Sequence, residues 1–148
     1  MGIFDVFRRT PRNRIALFID GPNMFRAEFS VDFDELLAVI GADGTVSIAR
    51  LYVDENASAG LIRAAEAHGF AVSVTSGDVD VRLAVEATDL LQRNAIDTIA
   101  IASRDADFTP VFERAGYHGI RTIAIAPGEH GKSAALGNAA DHSILLDS

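Results

Sequence analysis

The sequence predicts a single α/β domain, a three-layer α/β/α sandwich built on a mainly parallel central sheet. Three observations carry this. Short apolar runs rich in β-branched residues alternate with longer runs of helical spacing from about residue 14 onward. The strand-like runs are apolar throughout rather than alternating, the pattern of strands covered on both faces of a parallel sheet. A chain of 148 residues, 49% of them hydrophobic, suits one domain with a sizeable core.

The elements follow in order. Residues 15–20 (IALFID) form the first strand, which ends at the turn Gly21-Pro22-Asn23. Residues 33–40 have helical spacing, with Asp32 at the N-cap and Gly41 as the stop. Residues 46–53 are the second strand, and 57–68 a helix closed by Gly69. Residues 70–75 are a strand, 79–93 a long helix and 97–103 a buried strand. Residues 107–118 form a helix stopped by Gly119, with Asp107 as its candidate N-cap. Residues 120–126 are a strand, 133–139 a short helix and 142–146 the last strand. The domain is thus expected over 14–148. Residues 1–13 form a short amphipathic segment that packs on the domain or on a partner, a candidate homodimer contact rather than a membrane one. It is too short and too acidic for a secretory signal, and no apolar run approaches the ~20 residues of a membrane span.

Composition narrows the chemistry. The absence of cysteine removes disulfides, thiolate zinc sites and cysteine nucleophiles, and fits a reducing, cytoplasmic setting. With 13 basic and 21 acidic residues the net charge is −8, so a strongly basic nucleic-acid footprint is absent. Any nucleic-acid contact must use a local patch or a bridging cation.

In doubly wound sheets, ligands gather beyond the carboxyl ends of the strands. Asp20 ends the first strand. Asp105 and Asp107 follow the strand 97–103, and Asp80 opens the helix that follows 70–75. At helical spacing Asp80 shares a stripe with Leu83, Ala84, Ala87 and Leu91, which should face the sheet. Glu86 lies at the edge of that stripe. Asp89 lies on the opposite face, and Asp78 reads as a turn or cap residue. Each aspartate alone is explicable as a cap or a turn residue. Four at one sheet edge repel one another, and a hard divalent cation, Mg2+ or Mn2+, relieves that repulsion. Such an ion suits phosphodiester chemistry. Asn23 and Ser103 are the expected polar accompaniment, with turn chemistry as their plainer role. Arg26, Arg82 and Arg104 stand near enough to contact phosphates. His68, His118, His130 and His142 have no ligand spacing with one another. Residues 128–131 (Gly-Glu-His-Gly), before Lys132, form a candidate phosphate-contacting loop without P-loop spacing, and no GxGxxG follows the first strand.

Three segments resemble the NYN domain family, a branch of the PIN-like (FLAP nuclease-like) superfamily, over about residues 14–146. They are Phe-Ile-Asp-Gly-Pro-Asn-Met (18–24), Ser-Gly-Asp-Val-Asp-Val-Arg-Leu-Ala-Val-Glu-Ala (76–87) and Ser-Arg-Asp-Ala-Asp-Phe (103–108). The likeness is to the stand-alone, LabA-like archaeal and bacterial branch. It implies a PIN-like, Rossmann-like fold and a magnesium- or manganese-dependent ribonuclease. By position it implies Asp20, Asp80, Asp105 and Asp107 as the catalytic acidic set. Asp20, Asp105 and Asp107 would hold the metal, and Asp80 would complete the cluster. Asn23, Ser103, Arg82 and Arg104 would meet the substrate, with Glu86 as a further acid. The family often has a lysine shortly before the Asp80 position, where this chain has Gly77. With the acidic surface, that departure keeps a second expectation open, a non-catalytic regulatory or RNA- or protein-binding module. A third, another magnesium-dependent phosphoryl enzyme, is disfavoured because no second aspartate stands two residues after Asp20.

Overall fold

The computed structural model describes residues 13–25, 31–128 and 134–146. Residues 1–12, Arg26 and the stretch 129–133, and with them most of the N-terminal segment and the loop carrying Lys132, lie outside the described residues.

The apolar runs become six strands: β1 (Arg14–Asp20), β2 (Thr45–Asp54), β3 (Ala71–Thr75), β4 (Thr98–Ala102), β5 (Arg121–Ala126) and β6 (His142–Leu145). They form one sheet in the order β3-β2-β1-β4-β5-β6, and every neighbouring pair is parallel. Parallel neighbours need crossover connections, and helices supply them. These are α1 (Gly21–Met24), α2 (Phe33–Gly41), α3 (Ala59–Ala67), α4 (Val79–Leu91), α5 (Thr109–Tyr117) and α6 (Ala134–Ala139).

Successive side chains of β1 point to opposite faces, which splits the core in two. Ala16 and Phe18 pack with Leu83, Ala87 and Leu91 of α4 and with Val111, Phe112 and Ala115 of α5. Ile15, Leu17 and Ile19 pack on the other face with Phe33, Leu36 and Ile40 of α2. Each of the leucine, isoleucine, valine and phenylalanine side chains among them contributes roughly 1.5–3 kcal/mol on burial. The central strand β1 is sealed on both sides, so the groups at its end are held rigidly.

Most boundaries shift by a residue or two, and three of the differences from the sequence reading have a clear local cause. The turn after β1 is a full helical turn, because Pro22 pre-sets φ at its start and Phe25 N–H reaches Gly21 O at 2.9 Å. The helix expected from residue 57 starts at Ala59, because the Ser58 hydroxyl accepts from Leu61 N–H at 3.0 Å and caps it. The helix expected from Asp107 starts at Thr109, after a separate 3-10 turn at Ala106–Phe108. Asp105, not Asp107, caps that turn, accepting from Asp107 N–H at 2.9 Å. Asn13, the last residue of the expected N-terminal segment, is tied to the sheet. Its carbonyl accepts from Thr45 N–H at 2.8 Å, and its side chain accepts from Thr98 Oγ1 at 2.8 Å.

At the amino edge of the sheet Arg14 grips Asp97 with two nitrogens, Nε at 3.0 Å and Nη2 at 3.1 Å. The Arg14 backbone N–H adds a third bond at 2.9 Å. These bonds hold the Asp97 carboxyl down to about 2 from its ordinary 3.8. A depressed acid stabilises the fold above its ordinary value, and that stability is lost as pH falls through the depressed one. Asp97→Asn therefore lowers the urea midpoint at neutral pH. The gap to the parent closes between 3.8 and about 2, which unfolding curves across that window will check.

Candidate metal centre

The strand order reverses between β1 and β4, where β1 is followed by a crossover to one side and β4 by a crossover to the other. Such a reversal opens a crevice at the carboxyl edge. Ile19 lies in register with Ala102, so Asp20 and Ser103 stand on the two lips of that crevice. Asp20 has the parity of Ala16 and Phe18 and faces α4. It is 1% exposed. A buried carboxylate must find donors, and here the Asn23 amide and the Ser103 hydroxyl both donate to its Oδ2, the latter at 2.9 Å. Burial pushes the Asp20 carboxyl above the usual carboxylate range. The Asn23 and Ser103 bonds pull it back, and the charge of Asp105 pushes it up again.

Local structure brings these groups together. A Cβ at Gly21 would lie 2.6 Å from Tyr52 O and 2.7 Å from Val53 Cγ1, so only glycine lets α1 press against β2. That one-turn helix folds Asn23 back over Asp20. Asn23 Oδ1 then accepts from Arg104 Nε at 3.2 Å. Across the crevice, Ser103 Oγ accepts from Asp105 N–H at 3.0 Å.

Three carboxylates meet in front of this frame. Asp80, Asp105 and Asp107 each offer one oxygen, and the three oxygens lie within 4.8 Å of one another. Asp80 comes from the first turn of α4, whose Leu83, Ala87 and Leu91 are buried as the stripe required. Asp20 is not one of the three. It lines the same cleft of about 230 Å³ with Asn23, Asp54, Asp78, Asp80 and Asp105. A hard divalent cation fits this donor set, which is all oxygen, acidic and convergent. Three such oxygens with no cation between them repel.

The remaining sequence-derived residues are placed as follows. Glu86 stands apart from the three-oxygen group. It accepts from the Tyr52 hydroxyl at 2.6 Å and from Arg82 Nε at 3.0 Å, with Arg50 at 3.6 Å. The Tyr52 bond, then the Arg82 bond and the charges of Arg82 and Arg50, lower its carboxyl despite partial burial. Burial and the same carboxylate hold the Tyr52 phenol well above its usual range, so it stays a donor. Arg82 and Arg104 are thus engaged by protein acceptors. Asp89 is exposed and paired with Arg93, as its outward position implied. His68 bonds Asp34 at 3.0 Å, away from the cleft.

The sequence carries no expectation for Asp54, Tyr52 or Arg50, and gives Asp78 as a turn or cap residue. Asp78 is the N-cap of α4, but its side chain makes no cap bond and lines the cleft. Asp54 ends β2 as Asp20 ends β1, and that shared strand-end position was the available signal. The partnership of Tyr52 with Glu86, 34 residues apart, leaves no local trace.

The NYN domain family model matches residues 14–147. The uncharacterized protein MJ0482 of Methanocaldococcus jannaschii is 45% identical over 139 residues, covering 94% of this chain. The chain spans 58% of the length of that relative. A crystal structure of a protein of unknown function, VPA0982 from Vibrio parahaemolyticus, superposes with a TM-score of 0.81 at 18% identity. It covers 94% of this chain and 96% of that one, and supports the α/β fold.

Two outcomes follow from this geometry. Tyr52→Phe strips the hydrogen bond from a charged acceptor and lowers unfolding free energy by about 1.5–3 kcal/mol, measurable by urea titration. Asp20 has a raised carboxyl, so its contribution falls as pH rises from the ordinary carboxylate range through the raised value. Asp20→Asn therefore melts higher than the parent at neutral pH in chelator. The difference shrinks as pH drops toward about 4, which melting curves across that range will check.

Proposed function

The chain belongs to the NYN domain family, and from that premise we propose that it is a metal-dependent ribonuclease that hydrolyses RNA phosphodiester bonds. The NYN domain implies a PIN-like nuclease family. The observation that carries the reading is the meeting of Asp80, Asp105 and Asp107 oxygens within 4.8 Å.

Asp80, Asp105 and Asp107 would hold Mg2+ or Mn2+, with Asp20 behind them contributing negative charge. When bound, such an ion activates water and offsets charge on the phosphate. The protein's own part is positional. Ser103 joins Asp20 to the Asp105 backbone, so the acids on the two lips keep their spacing. Asn23 holds Arg104 at the rim, where its guanidinium can meet a phosphate while staying bonded to Oδ1. Glu86 supports the site by fastening α4, and hence Asp80, to Tyr52 of β2. We also assign the protein to the cytoplasm, on its lack of cysteine. Among the described residues, no helix is long and apolar enough to cross a membrane.

Two observations favour a second reading, a non-catalytic regulatory or binding module. Arg82 is paired with Glu86, and the chain carries a net charge of −8, so phosphate attraction is weak.

A labelled single-stranded RNA incubated with Mn2+ or Mg2+ separates the two. The first reading expects cleavage that chelator abolishes and that Asp105→Asn and Asp80→Asn each lower by about a hundredfold or more. Equal cleavage by parent and Asp105→Asn would overturn it. Intact RNA, with metal binding still seen by calorimetry in the parent and lost in Asp105→Asn, supports the module.

A further inference from the structure

Beside the acid-lined cleft lies a second hollow of about 150 Å³, between α1 and the β2–α3 connection. Phe25, Val53 and Leu61 form its apolar walls, and Asp54 and Asn56 its polar edge. Pro22 and Asp54 line both hollows, so the two adjoin. Phe25 is half-buried, and its ring packs on Phe33 with centroids 5.0 Å apart. Phe33 packs in turn on Phe70 at 5.1 Å, so the wall is backed by the core. The Asp54 Oδ1 accepts from Asn56 N–H at 2.9 Å, which fixes the carboxylate at the junction.

Charge says what this hollow has to do. A chain at −8, with Arg82 tied to Glu86, gains little from phosphate attraction. A single strand must then be held largely through its bases, on apolar and aromatic surface. This hollow offers such a surface directly beside the acidic cleft.

We propose that it is the subsite for the nucleobase next to the scissile phosphate, and that Asp54 selects bases carrying an exocyclic amino group. The proposal rests on the nuclease reading of the adjoining cleft. The apolar walls take the base faces. A carboxylate only accepts hydrogen bonds. It therefore pairs with the amino group of cytosine or adenine and opposes the carbonyl that uracil carries at the same edge.

Oligo(C) and oligo(U) of equal length, end-labelled, differ at that edge and are the probes. Cleavage with Mn2+ and binding by fluorescence anisotropy are read in parallel on the full chain. The parent should show kcat/KM about tenfold higher for oligo(C), the value of one good base-edge bond over an unmatched one. Asp54→Asn offers an amide donor to the uracil carbonyl and should bring that ratio to about one or invert it. Phe25→Leu keeps the bulk, loses the ring face, and should raise KM for both by about tenfold. Equal handling of the two oligomers by the parent overturns the proposal, as does an unchanged ratio in Asp54→Asn. Loss of all cleavage in Asp54→Asn with unchanged anisotropy moves Asp54 into the metal centre and overturns it too. If the parent cleaves neither oligomer, the nuclease reading fails and anisotropy decides the subsite alone. Tighter binding of oligo(C), lost in Asp54→Asn, upholds it, and no difference overturns it.

Discussion

A carboxylate sits almost wholly out of water at the end of the central strand. Asp20 can stay there only because its Oδ2 is bonded by donors from both sides of the crevice, Asn23 after β1 and Ser103 after β4. The rest of the carboxyl edge is built outward from those bonds. Ser103 passes the restraint to the Asp105 backbone, and Asp105 passes it to the backbone of Asp107. Asn23 passes it to Arg104. Gly21 is the condition for all of it, since a side chain there would push α1 off β2 and carry Asn23 away.

The fourth acid is positioned by separate means. Asp80 does not join the chain of bonds from Asp20. It rides on α4, whose apolar stripe sets its rotation and whose Glu86 is fastened to Tyr52. Tyr52 is in register with Asp20 on the neighbouring strand. Both routes therefore end at the same level of the sheet, and the three facing carboxylates come together without touching one another through any direct bond. Like charges so placed lower stability in the absence of a cation. Such a cost is common at functional sites, where it persists because the surrounding packing is strong enough to carry it.

Much of this is legible in the sequence. Buried parallel strands read as unbroken apolar runs, and the six strands and their flanking helices were visible in them. The strand-end rule then gathered Asp20, Asp80, Asp105 and Asp107 at one edge, where the structure has them. What stayed hidden depended on strand order and reach. Asp54 becomes a wall of the cleft only once β2 is known to lie beside β1, with Tyr52 level with Asp20. Asp78 stands at the N-cap position, as the sequence implies; that its side chain makes no cap bond and lines the cleft is visible only in the structure. Glu86 read as a further acid of the site, but its carboxylate is occupied by a tyrosine and two arginines. A buried tyrosine always needs a partner, and sequence spacing could not say which one.

The pairing of charges at this edge bears on how a substrate is held. In many nucleic-acid proteins arginines face the phosphates freely, and affinity follows from counterion release. Here the arginines nearest the acids already satisfy protein acceptors, Arg82 and Arg50 at Glu86 and Arg104 at Asn23. Their charge helps the carboxylates keep their places more than it draws in a strand. A strand entering such a cleft meets a strongly negative surface except where a cation stands, so a bound cation would act as the electrostatic anchor and the flanking apolar surface as the grip. On the proposed function, recognition by shape and base contact would follow from the same feature that fixes the site, the engagement of Arg82 and Arg50 by Glu86 and of Arg104 by Asn23.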